Sequence, residues 1–174
     1  MSPNDDPRLI LRAQAGDLHA FEQLLRAIEP SLRRYVGRLV AGFTDDVLQE
    51  TSLRIWRGLA WLNDPALFRA WAYRIATREA HRTMRRELKR EALRGGDATL
   101  EHTAAPFTDP GEKLALEAML QKITPLSRTV LVAHYFDGLS LEEVAAVTDT
   151  PLGTVKSRLA SGLKQARALM EDAA

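Results

Sequence analysis

Thr154, Ser157, Arg158 and Ser161 fall on one face of a helix, because the last three lie three, four and seven residues beyond the first. Lys156 and Lys164 flank them. Small hydroxyls permit close approach to a surface, and a guanidinium can pair with two acceptors of a guanine edge or grip a phosphate. The opposite face carries Leu152, Val155, Leu159, Leu163, Ala166 and Met170, an apolar seam at steps of three and four. A shorter element precedes it. Ser140-Leu141-Glu142-Glu143 has the form of a capping box, Leu141, Val144 and Ala145 supply its apolar stripe, and a tight turn is expected at Asp149. Two helices so joined have helix-turn-helix geometry, in which the second enters the major groove. The alternative is a plain amphipathic hairpin with a solvated face.

A second concentration of chemistry lies mid-chain. Between Arg69 and Arg94 there are nine Lys/Arg against three acids, a local net of +6 in a chain whose total is +1. Arg74, Arg78, Arg82, Arg85 and Lys89 form a rough stripe, with Arg86 beside it. Such a stripe matches phosphates spaced along a nucleic acid. It also fits a solvated face laced by i,i+4 pairs with Glu79, Glu87 and Glu91. Trp71 sits on the apolar stripe and is expected in the core, whereas Tyr73 fits either a core or a base-stacking role.

A third cluster, Asp45, Asp46, Gln49 and Glu50 with Arg54 and Arg57, makes a mixed-charge face suited to a protein partner. Catalytic constellations are not seen. His19, His81, His102 and His134 are isolated, there is no cysteine, and no phosphate-binding glycine loop is present. No enzyme, cofactor or metal is expected. The residues alone leave open a stand-alone DNA-binding regulator and a purely protein-binding module.

The elements that must position these groups read as helices. Alanine, leucine, arginine and glutamate dominate, and all favour helix. Asp6-Pro7, Gly16-Asp17, Thr44 and Thr124-Pro125 are helix starts. Pro30 is expected to break one helix (Phe21, Leu24, Leu25, Ile28) from the next (Leu32, Tyr35, Val36, Leu39). A helix from about Pro65 runs through the basic residues to about Arg94. Residues 95–111 are rich in glycine, proline and acids and read as an unstructured linker. The expected organisation is all-α: domain 1–94, linker 95–111 and domain 112–174. With no cysteine, no signal-peptide pattern and no long apolar run, a soluble cytoplasmic protein without membrane insertion is expected.

The stretch Asp46-Val47-Leu48-Gln49-Glu50-Thr51-Ser52-Leu53-Arg54-Ile55-Trp56-Arg57 resembles region 2.2 of extracytoplasmic-function sigma factors. Phe68-Arg69-Ala70-Trp71-Ala72-Tyr73-Arg74-Ile75-Ala76 is similar to their region 2.3, and the basic residues after it to region 2.4. Asp137 to Ala145 followed by Pro151 to Leu159 resembles region 4.2. The motifs occur in the family's order from about residue 16 to 170.

The resemblance implies a sigma factor that brings core RNA polymerase to promoters and assists melting. It implies docking of Asp45, Asp46, Gln49, Glu50 and Arg54 on the coiled coil of the beta-prime subunit. Asn63, Asp64, Tyr73, Arg74, Arg78, Arg82, Arg85 and Arg86 would face the minus-ten element, with the Asn63-Asp64 loop capturing an unstacked base. Thr154, Lys156, Ser157, Arg158 and Ser161 would read the minus-thirty-five element. An anti-sigma factor is the further partner it implies. Two places depart from the pattern. Asp149 stands where the turn commonly has glycine, and Thr77-Arg78-Glu79 replaces a more usual arginine-asparagine pair.

Overall fold

Carboxylates start the first two helices. In the computed structural model, which describes residues 6–93 and 110–171, Asp6 accepts the Arg8 N–H at 3.0 Å at the start of α1 (Pro7–Gln14). Asp17 accepts from Ala20 N–H at 3.0 Å to start α2 (Leu18–Leu39). Each satisfies an orphan amide and complements the helix dipole. α3 (Thr44–Gly58) has no side-chain cap; Phe43 holds the cap position, and Asp45 and Asp46 meet the dipole in the first turn. Short 3-10 turns at Leu59–Trp61 and Pro65–Leu67 lead into α4 (Phe68–Leu93).

Pro30 does not break the chain's second helix as expected; it lies inside α2, on an exposed face. A proline within a helix costs about 3 kcal/mol. The other face of α2 buries Leu24, Ile28, Leu32, Tyr35, Val36 and Leu39 on both sides of it. At roughly 1.5–3 kcal/mol for each large apolar side chain, that seam outweighs one lost hydrogen bond.

α1–α4 close around Ile10, Leu24, Ile28, Ile55, Leu59 and Phe68. Gly58 allows the approach of α4 to α3, because a Cβ there would come within 2.9 Å of the Trp71 ring. Trp71 accordingly packs half-buried against the core.

The second half comprises α5 (Pro110–Lys122), α6 (Pro125–Leu131), a π-helical turn at Val132–Phe136, α7 (Leu141–Thr148) and α8 (Leu152–Glu171). α5 begins at the edge of the expected linker; the rest of that linker lies outside the described residues. The capping box forms as expected. Ser140 Oγ accepts from Glu143 N–H at 3.1 Å, and Glu143 Oε2 accepts from Ser140 N–H at 2.7 Å. Asp149 closes α7 in the left-handed region at φ 56°, the conformation the tight turn requires. α8 crosses α6 at Gly162, where a Cβ would meet the Ser127 carbonyl at 3.2 Å. The seam of α8 differs at its end: Leu169 packs inward and Met170 is exposed.

The two halves pack on one another. α4 lies along α7, while the C-terminal part of α2 meets α5, α6 and the π turn. The buried side chains form one continuous cluster across both lobes.

Candidate polymerase and nucleic-acid interfaces

α3 buries Val47, Leu48, Thr51 and Ile55 and turns Asp46, Gln49 and Glu50 to the surface. Asp45 is exposed as well and holds Arg33 at 2.6 Å. These four expected polymerase contacts share one accessible acidic face. Arg54 does not stand free beside them. Its Nε lies 2.6 Å from Glu79 Oε1, tying α3 to α4. Glu79 is buried, with Arg82 3.8 Å from its other oxygen. Its charge is therefore turned toward α3 and neutralised there.

The 3-10 turn after α3 is pinned from α1. Gln14 Nε2 donates to the carbonyls of Leu59 at 3.0 Å and Leu62 at 2.7 Å. Asp64 caps the following turn through Ala66 N–H at 2.9 Å, and Asn63 is exposed. Trp61 stands beside them with 83% of its surface exposed, an aromatic that pattern reading passed over because it lies on no stripe.

Along α4, Arg82, Arg85 and Arg86 are exposed and Arg74 is half-buried. Tyr73 and Arg78 are engaged by the other lobe. The Tyr73 hydroxyl donates to Asp137 Oδ1 at 3.0 Å, its ring is buried, and Arg69 lies over it at 5.4 Å. Burial, with the Asp137 charge second, pushes the phenol up to about 12. Arg78 pairs with Asp149 at 2.6 Å.

Further cross-lobe groups carry no sequence pattern that marks them. Thr129 donates to Pro125 O at 2.9 Å, so the 2.8 Å contact between Thr129 Oγ1 and His81 Nε2 uses the imidazole N–H. Burial, reinforced by Arg85, Arg158 and Arg128, lowers the His81 pKa to about 4 and keeps it neutral. Buried Arg128 donates to the carbonyls of Leu39 at 2.6 Å, Gln121 at 2.9 Å and Ile123 at 3.1 Å, and to Gln121 Oε1. Burial lowers its pKa to about 10. Gln121 also donates to Arg38 O at 3.0 Å, and Arg38 lies over the Phe136 ring at 4.7 Å. α5 and α6 thus cap the carbonyl end of α2 with a cation, as the helix dipole favours.

On α8, Lys156, Ser157 and Ser161 are exposed and Thr154 and Arg158 half-buried. Arg158 donates to Thr150 Oγ1 at 3.2 Å, and Ser161 Oγ accepts from Gln165 at 3.0 Å. All five belong to the polar side of the second helix of a helix-turn-helix. Among the described residues no His/Asp/Glu group could hold a metal, and no helix is long and apolar enough to cross a membrane.

Comparison with known proteins matches both halves. Residues 20–90 fit the model of sigma-70 region 2, and residues 113–165 that of sigma-70 region 4. The chain is 31% identical to the ECF RNA polymerase sigma-E factor of Escherichia coli K12, covering 88% of each. It is 27% identical to the RNA polymerase sigma-H factor of Pseudomonas aeruginosa, covering 91% of this chain and 90% of that one.

Among solved structures, CnrH in complex with the cytosolic domain of CnrY is 25% identical. It overlays with a TM-score of 0.72 across 98% of this chain and 99% of its own. The sigma factor RpoE of Bartonella quintana, in complex with the anti-sigma factor NepR, gives a TM-score of 0.75 at 22% identity. That overlay covers 87% of this chain and 96% of the other. With both regions in order and the relatives covered nearly end to end, the chain belongs to the sigma-70 family and is an RNA polymerase sigma factor of the extracytoplasmic-function type.

Proposed function

We propose that the chain divides its work among three surfaces. The acidic face of α3, Asp45, Asp46, Gln49 and Glu50, docks on the beta-prime coiled coil of core RNA polymerase. Arg54 supports that face by fixing α3 to α4. The Asn63-Asp64 loop and the outer cations of α4, with Tyr73 and Arg78 once accessible, engage the minus-ten element and hold extruded bases. Thr154, Lys156, Ser157, Arg158 and Ser161 read the minus-thirty-five element. Two weak DNA readers on one polymerase-bound chain reinforce each other through local concentration. The chain itself supplies no bond chemistry, which remains with the polymerase, and it acts in the cytoplasm.

The observation that carries this reading is the coexistence on one chain of an exposed acidic face on α3 and a capped helix-turn-helix with its polar side toward solvent. A stand-alone regulator has no need of the first. The RpoE of Bartonella quintana is held by the anti-sigma factor NepR and CnrH by the cytosolic domain of CnrY, and both overlay across most of this chain. An anti-sigma factor that grips this arrangement of lobes is the third partner proposed.

The test is run-off transcription by core polymerase on candidate promoters with and without the chain. Start sites that appear only with the chain support the reading. Tight sequence-specific DNA binding by the free chain, with no effect on polymerase, would overturn it.

A further inference from the structure

The Asn63-Asp64 loop has little of its own to hold it in place. Leu59 and Phe68 bury its two ends, but Trp61, Asn63, Asp64 and Ala66 between them face solvent. A segment with so few buried contacts opens at little cost unless hydrogen bonds close it. The closing bonds come from α1. Gln14 Nε2 carries two hydrogens, and it donates to Leu59 O at 3.0 Å and to Leu62 O at 2.7 Å. Leu59 O also accepts from Leu62 N–H at 3.1 Å, so one amide locks both ends of the first 3-10 turn. Leu62 then leaves that turn in extended backbone, at φ −75° and ψ 106°, and delivers Asn63.

α1 also packs against the second turn, Pro65–Leu67, so one helix brackets the loop on both sides. α1 is itself fixed. Leu9, Ile10 and Ala13 are buried, and Arg12 pairs with Asp17 at 2.6 Å across the turn into α2. The helix precedes residues 20–90, the span that fits sigma-70 region 2. Gln14 stands one turn after Ile10, on the stripe of α1 that faces the core. A residue there for packing alone would be apolar. An amide at that position joins two carbonyls that a methionine of the same length would leave unpaired by α1.

We propose that Gln14 is a positioning residue for promoter melting: from α1 it sets the backbone of the Leu59–Leu62 turn and so holds the Asn63-Asp64 loop ready for an extruded base. The proposal rests on the reading of that loop as a base-capturing one. A loop ordered in advance does not have to be ordered by the base it captures, so more of the contact energy is left for melting. Gln14 acts through two carbonyls and not by touching DNA.

Gln14→Met keeps the length of the side chain and removes both donors. The amides of Leu62 and Leu67, which donate to Leu59 O and Asp64 O, report the order of the loop. In the free full-length chain their hydrogen exchange should become about tenfold faster in the variant, with exchange in α2 unchanged. Unchanged exchange at both amides overturns the clamp, whatever the loop binds.

The second measurement uses the full chain with core polymerase and a promoter on which it starts transcripts, carrying 2-aminopurine in the non-template strand of the minus-ten element. Gln14→Met should slow the fluorescence rise that marks base extrusion by about five- to tenfold, with polymerase affinity unchanged. A lobe that was merely destabilised would lose polymerase affinity as well. Gln14→Lys restores a donor at similar reach and should recover most of the rate; Gln23→Lys, exposed on α2, controls for the added charge. Equal slowing by Met and Lys overturns the donor role. A rate slowed by Asn63→Ala but not by Gln14→Met overturns positioning by Gln14. A rate untouched by either overturns the base-capture reading beneath it.

Discussion

The outer face of α3 and the inner face of α4 belong to the same bundle and are both built of charged side chains, yet they are in opposite states. Asp46, Gln49 and Glu50 face solvent, and Asp45 holds only a neighbouring arginine. Tyr73 and Arg78 are held by the far lobe. The difference teaches that charge and exposure are separate properties: on one helix the far lobe buries Tyr73 and pairs with Arg78 while Arg82, Arg85 and Arg86 stay exposed.

The comparison breaks most decisively at α3. Asp46→Lys with Glu50→Lys should weaken co-purification with core polymerase by on the order of a hundredfold, with the helical circular dichroism unchanged. Retained binding would remove the docking role from this face. Next in size is Arg128→Met. It strips donors from the Leu39, Gln121 and Ile123 carbonyls, and leaving such groups buried costs about 1–3 kcal/mol each before relaxation. A net loss of about 2–3 kcal/mol and a midpoint several degrees lower are expected in thermal denaturation. An unchanged midpoint would mean that Arg128 does not join the lobes.

The third test is acid. His81 is held near 4 when folded, against 6.5 when free. The unfolded chain therefore takes up this proton first, and stability falls as pH drops from 6.5 toward 4, by about 2 kcal/mol. Asp137, its carboxyl raised by burial, acts in the opposite sense from 3.8 upward. Comparison with His81→Gln isolates the histidine, and denaturant melts of the two at pH 7 and pH 4.5 should converge at the lower value. A constant gap would assign the acid response elsewhere. The smallest effect is expected at α8. Lys156→Ala with Arg158→Ala should lower promoter-directed transcription about tenfold, the equivalent of one good base contact. Unaltered transcription would make the helix-turn-helix a packing device.

Local chemistry was readable in the sequence wherever neighbours in sequence carry the interaction. The Ser140–Glu143 box, the left-handed Asp149, the Asp6 and Asp17 starts and the exposed acids of α3 all follow from a few adjacent residues. Pro30 misled because its local penalty is small against a seam that extends through it. The cross-lobe ties could not be read. His81 reads as an isolated histidine, and nothing adjacent in sequence marks a distant partner for Asp137 or Arg128. Their partners stand 48, 64 and 89 residues away, a separation that leaves no periodic mark. Glu79 was legible as a departure, but only its burial beside Arg54 shows which way its charge points.

The π-helical turn at Val132–Phe136 sets the phase of everything that follows it in the lobe interface. Its wider winding takes up one extra residue before Phe136 reaches Arg38 and Asp137 reaches Tyr73. Excising a single residue there, with no charge or polar group lost, would rotate the downstream chain by about 100° about the helix axis. The lobe would keep its composition and lose its aim, so a one-codon deletion at this turn should carry Phe136 away from Arg38 and Asp137 away from Tyr73.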